Sequence, residues 1–271
     1  MKSQIIGQEV LVNQVEKVFK IFKGSQCEIK PHFILTGPSG SSKTHTIKNL
    51  AEEHQLGYLE INAAQLTKEG TSGNSLSKAL SPLLQRNGVP TVVFVDEFDK
   101  LFISGNSNDS CAHETTVGVQ NEFLKVLEGD TACVYNDYGK YSNVSINNIL
   151  FVFAGAFNGE EDITLDRLRE IGLKTEFLGR VGIVFNSVKL TLTELYILVE
   201  NNPLINQYCK LIRNSDEEKI KYLIKGYLAS NYENNTIGAR VINTLVHQYF
   251  INGELPEKIV KQSTFQNTIE L

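Results

Sequence analysis

The sequence predicts an α/β fold: a parallel sheet of five strands in a large unit, followed by a small helical one. Three observations predict it. Short apolar runs at 33–36, 58–61, 92–95, 149–154 and 183–185 alternate with helical or loop segments, as in a parallel sheet covered on both faces. The first run, Phe33-Ile34-Leu35-Thr36, enters a loop of small residues that ends in Lys43-Thr44. After about Lys189 the strand pattern stops and helical spacing takes over.

The loop Gly37-Pro38-Ser39-Gly40-Ser41-Ser42-Lys43-Thr44 has the layout of a phosphate cradle: buried strand, exposed backbone N–H groups, helix N-terminus. The strict pattern G-x-x-x-x-G-K-[ST] has Gly where this chain has Ser42. Gly there lets backbone approach a phosphate without a Cβ in the way, so Ser42 predicts a modest perturbation of nucleotide affinity. The third run, Thr91 to Val95, delivers Asp96 and Glu97 at its C-terminal end. Four apolar residues directly before two carboxylates argue against a merely solvated strand end. In parallel sheets, ligands gather at the C-terminal strand ends, where both motifs fall. Together they imply binding of a nucleoside triphosphate with Mg²⁺. Backbone N–H groups from Ser39 to Thr44 would hold the β- and γ-phosphates. Lys43 would neutralise charge, Thr44 and Asp96 would hold the metal, and Glu97 would polarise the attacking water.

Thr191 followed by Thr193-Glu194-Leu195 reads as a helix start. Ile220, Leu223, Ile224, Tyr227 and Leu228 lie on one helical face. A last helical region runs from Thr236 past His247. The boundary is expected near Val188–Leu190, giving a large α/β unit over 1–188 and a small helical unit over 189–271. The polar stretches Ser104–Ser110 and Asp130–Asn147 read as surface loops.

Composition sets bounds. Hydrophobic content of 41% and charged content of 21% suit a globular chain, and 271 residues give ample length for a core. No apolar run is long enough to cross a bilayer, and the first residues lack the apolar core of a secretory signal, so a cytoplasmic, non-membrane protein is expected. Cys27, Cys111, Cys133 and Cys209 form no C-x-x-C pair and read as buried free thiols. A net charge of −5 without an extended basic stripe disfavours nucleic acid as a partner without excluding it.

The motifs follow an order: phosphate loop, acidic strand, Ala154-Gly155-Ala156-Phe157, Glu176-Phe177-Leu178-Gly179-Arg180, then Gly238-Ala239-Arg240. This order resembles AAA+ ATPases of the ClpX-like (Clp/HslU) branch, from about residue 5 to residue 250. Ile5-Ile6-Gly7-Gln8-Glu9 is similar to the segment that packs on adenine, which implies Ile6 in the nucleotide site. Asp96-Glu97-Phe98-Asp99-Lys100-Leu101 resembles the branch's extended acidic strand. Val117-Gly118-Val119-Gln120 with Leu124-Lys125-Val126-Leu127-Glu128-Gly129 resembles the helix before its second pore loop. The resemblance implies a homo-oligomer, hexameric or open-ringed. Arg180 would reach a neighbouring subunit's site as an arginine finger, and Arg240 would set a second guanidinium on the nucleotide. It also implies a protein partner remodelled at the expense of ATP.

Departures from the branch shape that expectation. The Gly-Tyr-Val-Gly pore loop is replaced by Gly70-Thr71-Ser72-Gly73, which offers no large apolar wedge. The zinc-binding domain is not expected here, since the chain starts almost directly at the ATPase module. A peptidase-docking Ile-Gly-Phe is missing between Asn158 and Ile171. Tyr135, Tyr138 and Tyr141 offer an alternative grip, beside the plainer reading of exposed loop tyrosines. The polar sensor position on the fourth strand is Ala156, in keeping with the branch. Two further classes stay open: an ATP-gated assembly factor or adaptor that threads nothing, and a DNA-associated ATPase of a mobile element or defence system.

Overall fold

A computed structural model of the chain describes residues 5–68, 73–86, 88–102, 110–136, 139–212 and 215–256. Thr71, Ser72 and Tyr138 therefore lie outside the described residues, as does most of the stretch 104–110. The chain divides into two compact units: residues 1–38 with 42–188, and residues 189–271 with Ser39–Ser41.

The first unit is built on a five-stranded, all-parallel sheet in the order β2-β3-β6-β1-β7. Its strands are β1 (Phe33–Thr36), β2 (Gly57–Asn62), β3 (Thr91–Asp96), β6 (Ile149–Ala154) and β7 (Ile183–Asn186). They are the five apolar runs of the sequence, within a residue or two. β1, β3 and β6 are buried along nearly their whole length because both faces of the sheet are covered. Alternate residues serve opposite faces. Phe33, Leu35, Val92, Phe94, Leu150 and Val152 join one core with Val15, Phe19 and Phe22 of helix α1 (Glu9–Gly24) and Ile47 and Leu50 of α2 (Lys43–Glu53). Ile34, Val93, Val95, Phe151 and Phe153 join the other, with Phe123 of α4 (Ser110–Glu128) and Phe177 of α6 (Thr175–Arg180). α3 (Leu76–Ala79) and α5 (Leu165–Ile171) pack on that second side through Leu76 and Leu168.

One expectation is overturned here. The segment Asp130–Asn147 is not a loop but a β-hairpin, with β4 (Thr131–Tyr135) antiparallel to β5 (Tyr141–Ser145). Ala132, Val134 and Val144 alternate inward and are buried, whereas Thr131, Cys133 and Asn143 face out. Seven Asn, Asp and Ser residues among its eighteen positions help to hide that period of two. Cys133 is accordingly an exposed thiol. Cys27 is buried and Cys209 half-buried, all three free, so the expectation of uniformly buried thiols is corrected.

The second unit holds α7 (Leu192–Glu200), α8 (Pro203–Leu211), α9 (Glu217–Asn231) and α10 (Arg240–Asn252) around one apolar core. Thr191 and Glu194 form a reciprocal capping box at the start of α7. Ile220, Ile224, Tyr227 and Leu228 bury the predicted face of α9. Lys221 is buried beside it, ringed by Glu200, Glu217 and Glu218. Those carboxylates hold its ammonium above the usual lysine range.

Candidate active site

Gly37 follows β1 in a conformation with φ +128°, and a Cβ there would strike the Ser187 hydroxyl and carbonyl. Only glycine fits. The Thr36 carbonyl at this strand end accepts from the Ser187 N–H at 2.8 Å and its hydroxyl at 2.9 Å. Gly40 also has positive φ, at +73°. So does Ser42, at φ 67° and ψ 21°. The glycine preferred at this place therefore answers a backbone demand, the left-handed conformation, more than the close approach of a phosphate.

Lys43 opens α2 and is 9% exposed. Its ammonium donates back to the carbonyls of Gly37 at 2.7 Å and Pro38 at 2.9 Å. Two carbonyl acceptors offset the burial of the charge and hold it over the loop, where phosphate oxygens would arrive. Thr44 donates from its hydroxyl to Asp96 Oδ2 at 3.3 Å. This bond joins the helix after the loop to the end of β3. A hydroxyl and a carboxylate oxygen are hard donors, the kind Mg²⁺ takes alongside phosphate and water. Among the described residues no group of three or more His, Cys, Asp or Glu could hold a metal by itself.

Asp96 Oδ1 accepts the Glu97 N–H at 2.8 Å. Glu97 itself is left-handed, at φ 54°, and exposed, and it caps a 3-10 turn at Phe98–Leu101. The next residue, Phe98, is fully buried against Phe102, Phe123, Phe153 and Phe177. The carboxylate of Glu97 is thus presented outward from a turn rooted in the aromatic core.

Two residues without an assigned role in the sequence reading also shape this end of the sheet. Asp99 is 1% exposed, and its Oδ2 accepts the Phe157 N–H at 3.2 Å. A Cβ on Gly155 would lie 2.6 Å from its other oxygen. Asp99 therefore latches the turn after Glu97 to the residues that follow β6, beside Ala156. Asn186 ends β7. Its Oδ1 accepts from the Thr36 hydroxyl and from the Ile163 N–H, and its Nδ2 donates to the Ile163 carbonyl. The sequence signal for Asp99 was a lone carboxylate between Phe98 and Leu101. Asn186 had none, because its partners lie far away along the chain.

The structure brings Gly37, Pro38, Lys43, Thr44, Asp96 and Glu97 together. Ile6 is partly buried at the entry to α1. Arg180, the last residue of α6, is exposed, and its guanidinium lies 3.3 Å from Glu128. Arg240 is exposed at the start of α10, in the second unit. Tyr135 and Tyr141 face each other as the last ladder pair of the hairpin, ring centroids 5.7 Å apart. No helix among the described residues is long and apolar enough to cross a membrane.

Comparison with known proteins agrees with this geometry. Residues 33–163 match the family described as ATPase family associated with various cellular activities (AAA). That span runs from β1 through the phosphate loop, the acidic strand, the hairpin and β6. An ATP-dependent Clp protease ATP-binding subunit ClpX from Treponema denticola is 31% identical over 65% of this chain and 44% of its own length. Proteins of the same name from Borrelia duttonii and Bacteroides fragilis are 29% and 26% identical, over 77% and 92% of this chain and 61% and 72% of their own lengths. The chain thus spans about half the length of the first two relatives. The matched AAA region, the parallel sheet in β2-β3-β6-β1-β7 order and the phosphate loop bonded to an acidic strand together make this chain similar to the ClpX-like AAA+ ATPases.

Proposed function

We propose that this chain hydrolyses ATP with Mg²⁺ and spends the energy on remodelling a protein partner, acting as a homo-oligomeric ring. The observation that carries the chemistry is the bond from Thr44 to Asp96, with Lys43 turned onto the loop carbonyls beside it. Lys43 and the loop amides bind and orient the β- and γ-phosphates. Thr44 and Asp96 would hold the metal, which would supply charge neutralisation to the phosphates. Glu97 holds the proton of the attacking water and directs the oxygen in line with the γ-phosphorus. Arg180 reaches the neighbouring subunit's nucleotide; its exposed place at a helix end, in a surface ion pair with Glu128, supports that role. Relatives whose names describe an ATP-binding subunit of a protease support a protein as the partner. The tyrosine pair on the hairpin, half-buried Tyr135 and exposed Tyr141, supplies apolar area to meet one.

The experiment is a pair of substitutions. Glu97→Gln should keep ATP affinity within about threefold and cut turnover by about 10²-fold or more, since it removes only the group that polarises water. Lys43→Ala should weaken ATP binding itself. A Glu97→Gln chain that turns over at the wild-type rate would falsify the assignment of the base.

A further inference from the structure

We infer that Lys78 is a positioning residue that ties the hairpin tyrosines to the segment leaving β2, so that the two form one mechanical unit ending on the acidic strand. Its relevance to a partner rests on the remodelling function proposed above; the coupling itself does not.

The inference starts from the two bonds of one ammonium. Lys78 lies on α3, exposed, and donates to the Gly73 carbonyl at 2.9 Å. The same ammonium stands over the Tyr135 ring, 5.6 Å from its centroid. Tyr135 meets Tyr141 edge to face, at 87° between ring planes, and Tyr141 is 51% exposed. One cation therefore joins a backbone carbonyl on one segment to an aromatic pair on another. A lysine suits this task. Its compact head can point one N–H at the carbonyl while presenting its charge to the ring face.

Both ends of the link are built to transmit. On the inner side, Leu76 and Leu80 share a core with Ala132, Val134 and Val144, so the hairpin is seated on α3 by apolar packing. On the outer side, Gly73 has φ +137°, and a Cβ there would press on the Thr67 side chain at 2.7 Å. Its neighbour Asn74 accepts the Thr67 N–H at 2.9 Å, beside an isolated bridge from Leu66 to Asn74. From Leu66 the chain runs back through the 3-10 turn Ala63–Gln65 to Asn62, whose side chain caps that turn at the Ala64 N–H. Asn62 is the register partner of Asp96. That turn also packs on the Phe98–Leu101 turn that follows Glu97. The Tyr135–Tyr141 pair is thus connected to the end of β3 by packed elements, with Lys78 as the link that a single substitution can cut.

The test reads hydrogen exchange in the free protein, so it needs no partner. Two amides report: Thr67, bonded to Asn74, and Asn136, bonded to Lys140 at 2.7 Å beyond the tyrosine pair. Lys78→Met should raise exchange at both by about two- to fivefold, the size expected for an exposed cation–π contact and a surface hydrogen bond. Lys78→Arg, which keeps the charge and the donor, should restore both. Tyr135→Leu, made on the hairpin, should raise exchange at Thr67, while Tyr135→Phe should not. The Ser187 amide, bonded to Thr36 within the sheet, serves as the control for intact folding. If Lys78→Met loosens only one of the two amides, or Tyr135→Leu leaves Thr67 unchanged, the coupling is overturned. Stimulation of ATP turnover by unstructured casein tests the partner reading separately. A chain with coupled exchange that ignores casein keeps this inference and loses that function.

Discussion

Ser42 and His32 show how single positions set conditions that the surrounding elements must meet. Ser42 holds φ 67°, a conformation that costs a residue with a Cβ about 1–2 kcal/mol. Glycine would relieve that strain but would raise the entropy of the unfolded chain by about 0.4–1 kcal/mol. Ser42→Gly should therefore stabilise the protein by about 0.5–1 kcal/mol, read from the midpoint of urea unfolding, and should not weaken ATP binding. A loss of stability would mean that the Ser42 side chain contributes more than its backbone costs. His32 sits just before β1, where its Nδ1 accepts the Phe151 N–H at 3.0 Å and its ring meets Phe151 edge-on. Burial, with a smaller contribution from Lys30, lowers its pKa from 6.5 to about 4. The fold thus favours the neutral ring. Its contribution to stability is complete above pH 6.5 and is lost as pH falls toward 4, because the unfolded chain takes up the proton first. His32→Asn keeps an acceptor for Phe151 and removes the titration. The variant should therefore show a shallower fall in melting temperature over that window, and an unchanged slope would assign the acid sensitivity to other groups.

At the scale of elements, the strands were legible because burial on both faces forces continuous apolar runs, as in Ile149 to Ala154. The start of α7 was legible because its capping box is local in sequence. The hairpin was not, since Asn136, Asn143 and Ser145 mask the alternation that Ala132, Val134 and Val144 carry. That the Lys-Thr and Asp-Glu pairs lie close together could be read from their places at strand ends of one parallel sheet. The supports of that site could not, since Asp99 with Phe157 and Asn186 with Ile163 are pairings that only the folded sheet creates. The aromatic cluster is of the same kind. Phe98 stacks on Phe177 at 5.2 Å, and Phe153 meets Phe177 at 5.0 Å. This places the helix that presents Arg180 directly on the residue after Glu97. Phe177→Leu removes the stacking while leaving an apolar side chain, and should cost about 1–2 kcal/mol of stability. It should also lower kcat for ATP with KM little changed, because α6 and the Glu97 turn lose their common seat while the phosphate loop is untouched. An unaltered kcat at reduced stability would restrict the cluster to a packing role.

At the scale of the whole molecule, the decisive question is whether one chain's site is complete. Arg180 lies at the end of α6 with Glu128 as its described partner, an exposed pair worth at most about 1 kcal/mol. Such a guanidinium can be given up cheaply to another acceptor. In related phosphoryl transfers, a guanidinium delivered to the developing γ-phosphate charge accelerates reaction by about 10³–10⁵-fold. If Arg180 works in a neighbour's site, the interface is head to tail, and each site combines Glu97 from one chain with Arg180 from the next. Two inactive chains then complement each other. An Arg180→Ala chain retains Glu97, and a Glu97→Gln chain retains Arg180. In an equal, random mixture roughly a quarter of the interfaces pair an intact base with an intact finger. Turnover should therefore rise well above the sum of the two variants measured alone, and only at concentrations where oligomers form. The wild type should likewise gain specific activity with concentration over that range. Mixed oligomers with no more activity than their components would place Arg180 outside the neighbouring site, and full specific activity in a monomer would remove the need for a neighbour at all.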